Sequence, residues 1–104
     1  MGLTMISEAY INQCLDYFGG IGLDILQEEC AELIQACSKM KRHDGHFSYV
    51  DPIEQLKEEM AHVLISLEVV ARLHGVTSKD LANELTKKAK KYNFEGELLC
   101  HTKL

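Results

Sequence analysis

The sequence predicts an all-α fold with four helices. The 104 residues include one proline and no tryptophan, and few stretches alternate between polar and apolar positions as strands do. Apolar residues instead recur every three or four positions, which is the period of an amphipathic helix. Glycine-containing breaks separate these stretches. Without internal repeats or linker-like segments, residues 1–104 are expected to form one helical domain.

The first two predicted helices meet at a glycine pair. Helix one is expected over residues 4–18, because Gly19 and Gly20 form a strong helix breaker. Helix two is expected over residues 23–42, before a polar stretch that contains glycine. At about 100° per residue, its apolar arc comprises Leu26, Cys30, Leu33, Ile34, Cys37 and Met40. Glu28, Glu29 and Glu32 lie off this arc, with Glu29 nearest its edge, so the helix has an acidic face.

Helix three has the clearest boundaries. Asp51 can cap its start, Pro52 suits the first helical position, and Glu54 stands where the acid of a capping box belongs. The helix is expected to continue to His74, with Gly75 ending it.

Apolar residues surround helix three on nearly all sides. One face carries Leu56, Met60, Val63, Leu64, Leu67, Val70 and Ala71, and the opposite face carries Ile65, Val69 and Leu73. Such a helix needs cover on both sides. In a chain of this length, we expect a second subunit to provide one of the two covers.

Helix four is expected to begin at Thr77 or Ser78, to have Asp80 in its first turn, and to end near Tyr92. Its second half holds a basic block made of Lys87, Lys88, Lys90 and Lys91. Residues 93–104 show no clear period.

Composition excludes some functional classes. The formal net charge of −5 disfavours binding to nucleic acid by electrostatics alone, and no apolar run approaches the ~20 residues of a membrane span. The four cysteines contain no CxxC pair, and the chain shows no signal peptide. We therefore expect reduced thiols and a cytoplasmic location.

Two pairs of residues spaced i, i+3 are candidates for a metal site. Glu29 and Glu32 point one way from helix two, and Glu59 and His62 point one way from helix three. If the helices are antiparallel, three carboxylates and an imidazole converge. Such carboxylates repel one another unless a divalent cation neutralises them. An acidic cluster followed by a basic block is the arrangement that a metal-bound phosphate substrate requires.

Each of these features has a plainer explanation when taken alone. Acidic pairs and lysine runs are usually solvated helix faces, and a lone His62 is more often a hydrogen-bonded core histidine than a ligand. However, Glu58, Glu59 and His62 interrupt a largely apolar helix, where burying an unpaired carboxylate costs several kcal/mol. Together, the features favour a metal site.

Residues 28–36 (EECAELIQA) and 56–65 (LKEEMAHVLI) resemble the MazG-like all-α nucleotide pyrophosphohydrolases, whose signature is ExxE followed by ExxD. The resemblance spans residues 23–92. It implies a four-helix MazG-like bundle completed by oligomerisation, as a homodimer or a tetramer made of two dimers. It also implies cleavage of nucleoside triphosphates to monophosphate and pyrophosphate with Mg²⁺. Glu29, Glu32 and Glu59 would be the metal ligands, one of them also orienting water, and Lys87 and Lys91 would contact phosphate.

This chain departs from the signature at His62, where the family has aspartate. Imidazole is a poor ligand for Mg²⁺ but suits Zn²⁺, Mn²⁺ or Fe²⁺. Three outcomes are open: Glu58 supplies the missing oxygen, the metal is Mn²⁺ or another divalent cation, or the site is degenerate. In the last case, the chain would be a catalytically weakened dimer that binds nucleotides or regulates. A further alternative is a di-iron site, because Glu59 and His62 form an ExxH motif that a homodimer would duplicate.

Overall fold

The computed structural model describes residues 5–42 and 51–96, and these residues form four α-helices and a short 3₁₀ turn without any strand. In chain order the elements are α1 (Glu8–Phe18), the 3₁₀ turn (Gly19–Ile21), α2 (Gly22–Arg42), α3 (Pro52–His74) and α4 (Ser78–Lys91). The all-α prediction is confirmed. Helix one begins at residue 8 rather than near residue 4, because Ser7 is its N-cap.

Side-chain caps determine where α1 and α3 begin. The hydroxyl of Ser7 accepts a hydrogen bond from the third backbone N–H after it. At α3, the Asp51 carboxylate accepts from the backbone N–H of Ile53 at 3.0 Å. The expected capping-box acid does not complete the box, since the Glu54 carboxylate instead accepts from the ammonium of Lys57 at 2.9 Å. The α3 cap therefore rests on the aspartate alone.

The junction between α3 and α4 combines a glycine stop with a complete capping box. Gly75 ends α3 with φ at 68°, in the left-handed region that favours glycine. The backbone N–H of Thr77 donates to Asp80 at 2.8 Å, and the backbone N–H of Asp80 donates to the Thr77 hydroxyl at 3.1 Å. The hydrogen bond from the backbone N–H of Thr77 is the main cause that lowers the pKa of Asp80, followed by a side-chain hydrogen bond with Thr77. The turn is thus fixed by local sequence.

α2 and α3 pack against each other as an antiparallel pair. Near one end, the Lys39 ammonium donates to the Gln55 side chain at 3.4 Å. At the other end, Gly22 lies so close to α3 that a Cβ atom there would be 2.6 Å from the Leu73 side chain. α1 packs against α3, and its one buried residue is Ile11. This antiparallel pair is the scaffold of the molecule.

The contact face of α2 differs from the predicted apolar arc. Ile34 is 67% exposed and Cys37 is exposed, whereas Ala36 is fully buried. The face of α2 that packs is rotated about the helix axis by roughly 60° from the predicted arc, toward Gly22 and Glu29, when each residue is counted as about 100°. Small residues allow the two helix backbones to approach closely, and this approach decides which face packs.

The cover of α3 is incomplete within one chain. Val69 and Ala71 are buried, but Met60, Leu64 and Leu67 are 51%, 39% and 41% exposed. α4 buries none of its residues and leaves α3 at an angle of 111°. The described residues of one chain therefore form a packed core of three helices, and the four-helix bundle completed by a second subunit stays a prediction.

Within residues 5–42 and 51–96, no single helix is both long enough and apolar enough to cross a membrane. Only α3 and α4 taken jointly, across their sharp bend, reach the required length and composition.

Candidate metal centre

The antiparallel pair brings the two predicted i, i+3 motifs together. Glu29 and Glu32 lie one turn apart on α2, opposite Glu59 and His62 on α3. Each of the four side chains offers one ligand atom, and these atoms all lie within 4.8 Å of one another. The convergence predicted from the spacing is thus present in the structure.

Two of the carboxylates each have one buried oxygen that accepts no hydrogen bond. Glu59 is 8% exposed, and the Oε2 atoms of Glu29 and Glu59 are buried without a hydrogen-bond partner. The Nδ1 atom of His62 lies 3.2 Å from the first of these oxygens and 3.7 Å from the second. The imidazole is itself 45% exposed, so it stands at the solvent edge of the cluster.

The pKa of the third carboxylate is perturbed by the neighbouring acids. The pKa of Glu32 is raised above its ordinary value, first by a side-chain hydrogen bond with Glu59, then by desolvation and by the negative charge of Glu59. A bound cation would offset the negative charge that raises the pKa of Glu32.

The four residues fit a divalent cation. Opposite ligands of a small octahedral ion stand about 4 Å apart, given metal–ligand bonds of about 2.0–2.1 Å, and the ligand atoms here lie within 4.8 Å of one another. Buried oxygens that accept no hydrogen bond are available to such an ion. Three carboxylates and one imidazole are all common metal ligands. A cation would also remove the mutual repulsion of the acids.

Other predicted site residues lie outside this group. Glu58 is exposed and is not among the four residues that converge. Lys87 forms an ion pair with Glu84 at 3.0 Å, and the Lys91 ammonium stands 5.7 Å from the centre of the Tyr92 ring. The structure therefore does not bring either lysine or Glu58 to the cluster within one chain.

A cleft of about 420 Å³ opens beside the cluster. Its lining residues come from α1, α2 and α3: Tyr10, Cys14, Phe18, Gly22, Ile25, Glu28, Glu29, His62, Ile65, Ser66 and Val69. Glu29 and His62 thus belong both to the acidic cluster and to the cleft wall. A volume of this size is in the range of small-molecule sites.

The comparison with protein families identifies the domain. The family model of the MazG nucleotide pyrophosphohydrolase domain matches residues 22–93. This chain belongs to the MazG family. Its members act on nucleotides and depend on a metal. The match covers α2, α3 and α4 and contains all four residues of the cluster. Neither a search of curated proteins nor a search of solved structures found a match.

In this MazG domain, sequence reasoning missed the contribution of α1. Tyr10, Cys14 and Phe18 form one wall of the cleft, although they lie outside the matched residues 22–93. Their signal in the sequence is a four-residue interval between successive members, which places them on one helix face. That interval indicates a shared face but does not distinguish a cleft wall from core packing.

Proposed function

We propose that this MazG domain is a metal-dependent nucleoside triphosphate pyrophosphohydrolase, which converts an NTP or dNTP and water to the monophosphate and pyrophosphate. One observation carries the proposal: three carboxylates and an imidazole converge within 4.8 Å beside a cleft of about 420 Å³. A divalent cation and a nucleotide would thereby bind at adjacent sites on one chain.

Glu29, Glu32, Glu59 and His62 would hold the cation, with Mg²⁺ as the ion that the family resemblance implies. When bound, the ion neutralises phosphate charge and polarises the phosphoryl oxygen. The chain itself positions these ligands on two packed helices, which fixes their geometry before substrate arrives.

Glu29 is best placed to orient the attacking water. It is the one carboxylate of the cluster that also lines the cleft. A water held beside Glu29 donates a proton to its carboxylate while the water oxygen bonds to one of the two phosphorus atoms of the α–β anhydride. The bond between that phosphorus and the bridging oxygen breaks, the bridging oxygen leaves with the other phosphoryl group, and pyrophosphate and the monophosphate separate. Glu32 and Glu59 act with Glu29 as the catalytic carboxylates.

The cleft would accept the nucleoside part of the substrate. Ile25, Ile65 and Val69 contribute apolar walls, and Tyr10 and Phe18 of α1 contribute aromatic rings. Aromatic rings bind bases by stacking, which tolerates different bases. The cleft therefore supports binding of a nucleoside without fixing which base or sugar is preferred.

Phosphate contact by Lys87 and Lys91 fits an oligomer better than a monomer. Neither lysine lines the cleft of its own chain, and α4 extends away from the core with no buried residue. The exposed side chains of Met60, Leu64 and Leu67 also leave α3 partly uncovered. We infer a homodimer, or a tetramer made of two dimers, in which α4 of one protomer lies beside the cleft of another.

The proposal is tested by nucleotide consumption with a matched pair of variants. The purified chain is incubated with a panel of ribonucleoside and deoxyribonucleoside triphosphates and with Mg²⁺, Mn²⁺, Co²⁺ or Zn²⁺. Wild-type protein is expected to consume at least one nucleotide. Glu59→Gln, which changes a buried member of the cluster, is expected to lose at least about 100-fold in rate.

Glu58→Gln is the control, because it makes the same chemical change one residue away at an exposed position outside the cluster. It is expected to retain wild-type turnover. Equal loss in both variants would contradict the assignment of the cluster. Nucleotide binding without turnover under all four metals would favour a weakened binding module instead.

A further inference from the structure

We propose that His62 makes the metal centre of the proposed hydrolase select a divalent transition-metal ion of the Fe²⁺, Co²⁺ and Zn²⁺ class over Mg²⁺. The proposal rests on the proposed function for its biological meaning, but it concerns metal binding alone. Three features support it: the donor atoms that the two helices bring together, the position of the imidazole among them, and the absence of a carboxylate oxygen on the same turn that could replace the imidazole nitrogen.

The placement of the imidazole makes its nitrogen part of the donor set. Nδ1 of His62 lies 3.2 Å from Oε2 of Glu29 and 3.7 Å from Oε2 of Glu59, and both oxygens are buried without a hydrogen bond. An ion that uses these two oxygens therefore also stands within reach of the nitrogen. The donor set is three oxygens and one nitrogen.

The α3 backbone holds the histidine in this position. His62 lies one turn after Glu59, so both side chains project from the same side of the helix. The hydroxyl of Ser66 donates to the backbone carbonyl of His62 at 2.8 Å. Ser66 is itself buried in the packed part of α3. The imidazole is consequently attached to a well-supported turn.

No neighbouring carboxylate on this turn of α3 replaces the nitrogen. Glu58 is exposed and stands outside the group of converging ligand atoms. The fourth protein ligand is therefore His62. Mg²⁺ prefers oxygen ligands in a near-ideal octahedron and gains little from imidazole, whereas Fe²⁺, Co²⁺ and Zn²⁺ bind imidazole well. A mixed nitrogen and oxygen set thus shifts selectivity toward the transition metals.

Two measurements on the full chain without nucleotide test the proposal. Proton NMR of the Co²⁺-loaded protein is expected to show hyperfine-shifted resonances of a coordinated imidazole. Competition titrations then give the ratio of the Mg²⁺ and Zn²⁺ dissociation constants. His62→Asp is expected to remove the imidazole resonances and to lower that ratio by at least about tenfold, the scale on which changes around metal ligands act.

His74→Asn is the matched control, because His74 is an exposed histidine at the end of the same helix. It is expected to keep both the resonances and the selectivity ratio. His62→Gln serves as a second variant if circular dichroism shows that His62→Asp is unfolded, since it keeps a polar side chain and removes the ring nitrogen.

Wild-type protein that binds Co²⁺ without shifted imidazole resonances would overturn the proposal. So would resonances or a selectivity ratio that persist unchanged in the folded His62 variants. These outcomes are independent of turnover. An active enzyme without nitrogen coordination overturns only the inference about His62, and a nitrogen-coordinated metal in a chain that hydrolyses no nucleotide overturns only the proposed function.

Discussion

Replacing Ile11 by alanine tests how α1, which forms one wall of the cleft, is held in place. Ile11 is 0% exposed and is the one buried residue of α1. The change removes three carbons at about 0.8 kcal/mol each, and the remaining cavity adds to the loss. We therefore expect a decrease of about 3 kcal/mol in the free energy of unfolding, within the range for buried isoleucine.

This decrease is a large part of the about 5–15 kcal/mol by which a small domain is stable. It corresponds to a fall of about 15 °C in Tm for a domain of this size. Urea unfolding followed by far-ultraviolet circular dichroism measures the change in free energy. Nucleotide binding should weaken as well, because Tyr10 and Phe18 lose their support on α1.

The matched control is Ile34→Ala, which removes the same three carbons from a side chain that is 67% exposed. We expect it to change the free energy of unfolding by less than about 0.5 kcal/mol. Equal losses for the two variants, or a loss below about 1 kcal/mol for Ile11→Ala, would refute the view that this side chain anchors α1.

Three further predictions concern the ends and surfaces of the helices. Gly75→Ala should lower the free energy of unfolding by about 1 kcal/mol, because φ at this position is 68°, which disfavours any residue with a Cβ atom. The control is Gly20→Ala, where a Cβ would meet no atom within 4 Å, and its thermal melt should show no such loss. The pKa of Glu8 is lowered from its ordinary value of 4.5, mainly by its hydrogen bond with Arg72. The ion pair therefore stabilises the fold fully above pH 4.5, and this stabilisation is lost as the pH falls through the lowered pKa of the folded state. Urea unfolding from about pH 6 to about pH 3 should therefore show a weaker acid dependence in Glu8→Gln than in wild type. Leu64→Glu should reduce the mass measured by light scattering from that of an oligomer to the 11.8 kDa of one chain; a wild-type monomer would contradict the oligomer.

Local features of the fold could be predicted from the sequence. The cap at Asp51, the stop at Gly75 and the start of α4 depend on residues within a few positions of each other, and the structure confirms all three. The convergence of the acidic pairs needed one more assumption, that α2 and α3 are antiparallel. A connection of nine residues (43–51) between two long helices is short enough to favour that arrangement.

Features that depend on packing could not be predicted in the same way. Ile34 lies on an apolar arc by sequence but is exposed, because close contact near Gly22 and Ala36 sets the rotation of α2. The cleft wall on α1 depends on how that helix packs against α3. Neither Glu58 nor the lysines of α4 could be placed from spacing, since their distance from the cluster is a property of the tertiary structure.

The most direct test of the central claim is identification of the products. Wild-type chain is incubated with a consumed nucleoside triphosphate and a divalent cation, and nucleotides, pyrophosphate and orthophosphate are quantified together. The proposed site at Glu29, Glu32, Glu59 and His62 predicts monophosphate and pyrophosphate in equal amounts, without diphosphate. Diphosphate with orthophosphate, or no product from any triphosphate with Mg²⁺, Mn²⁺, Co²⁺ or Zn²⁺, would contradict it.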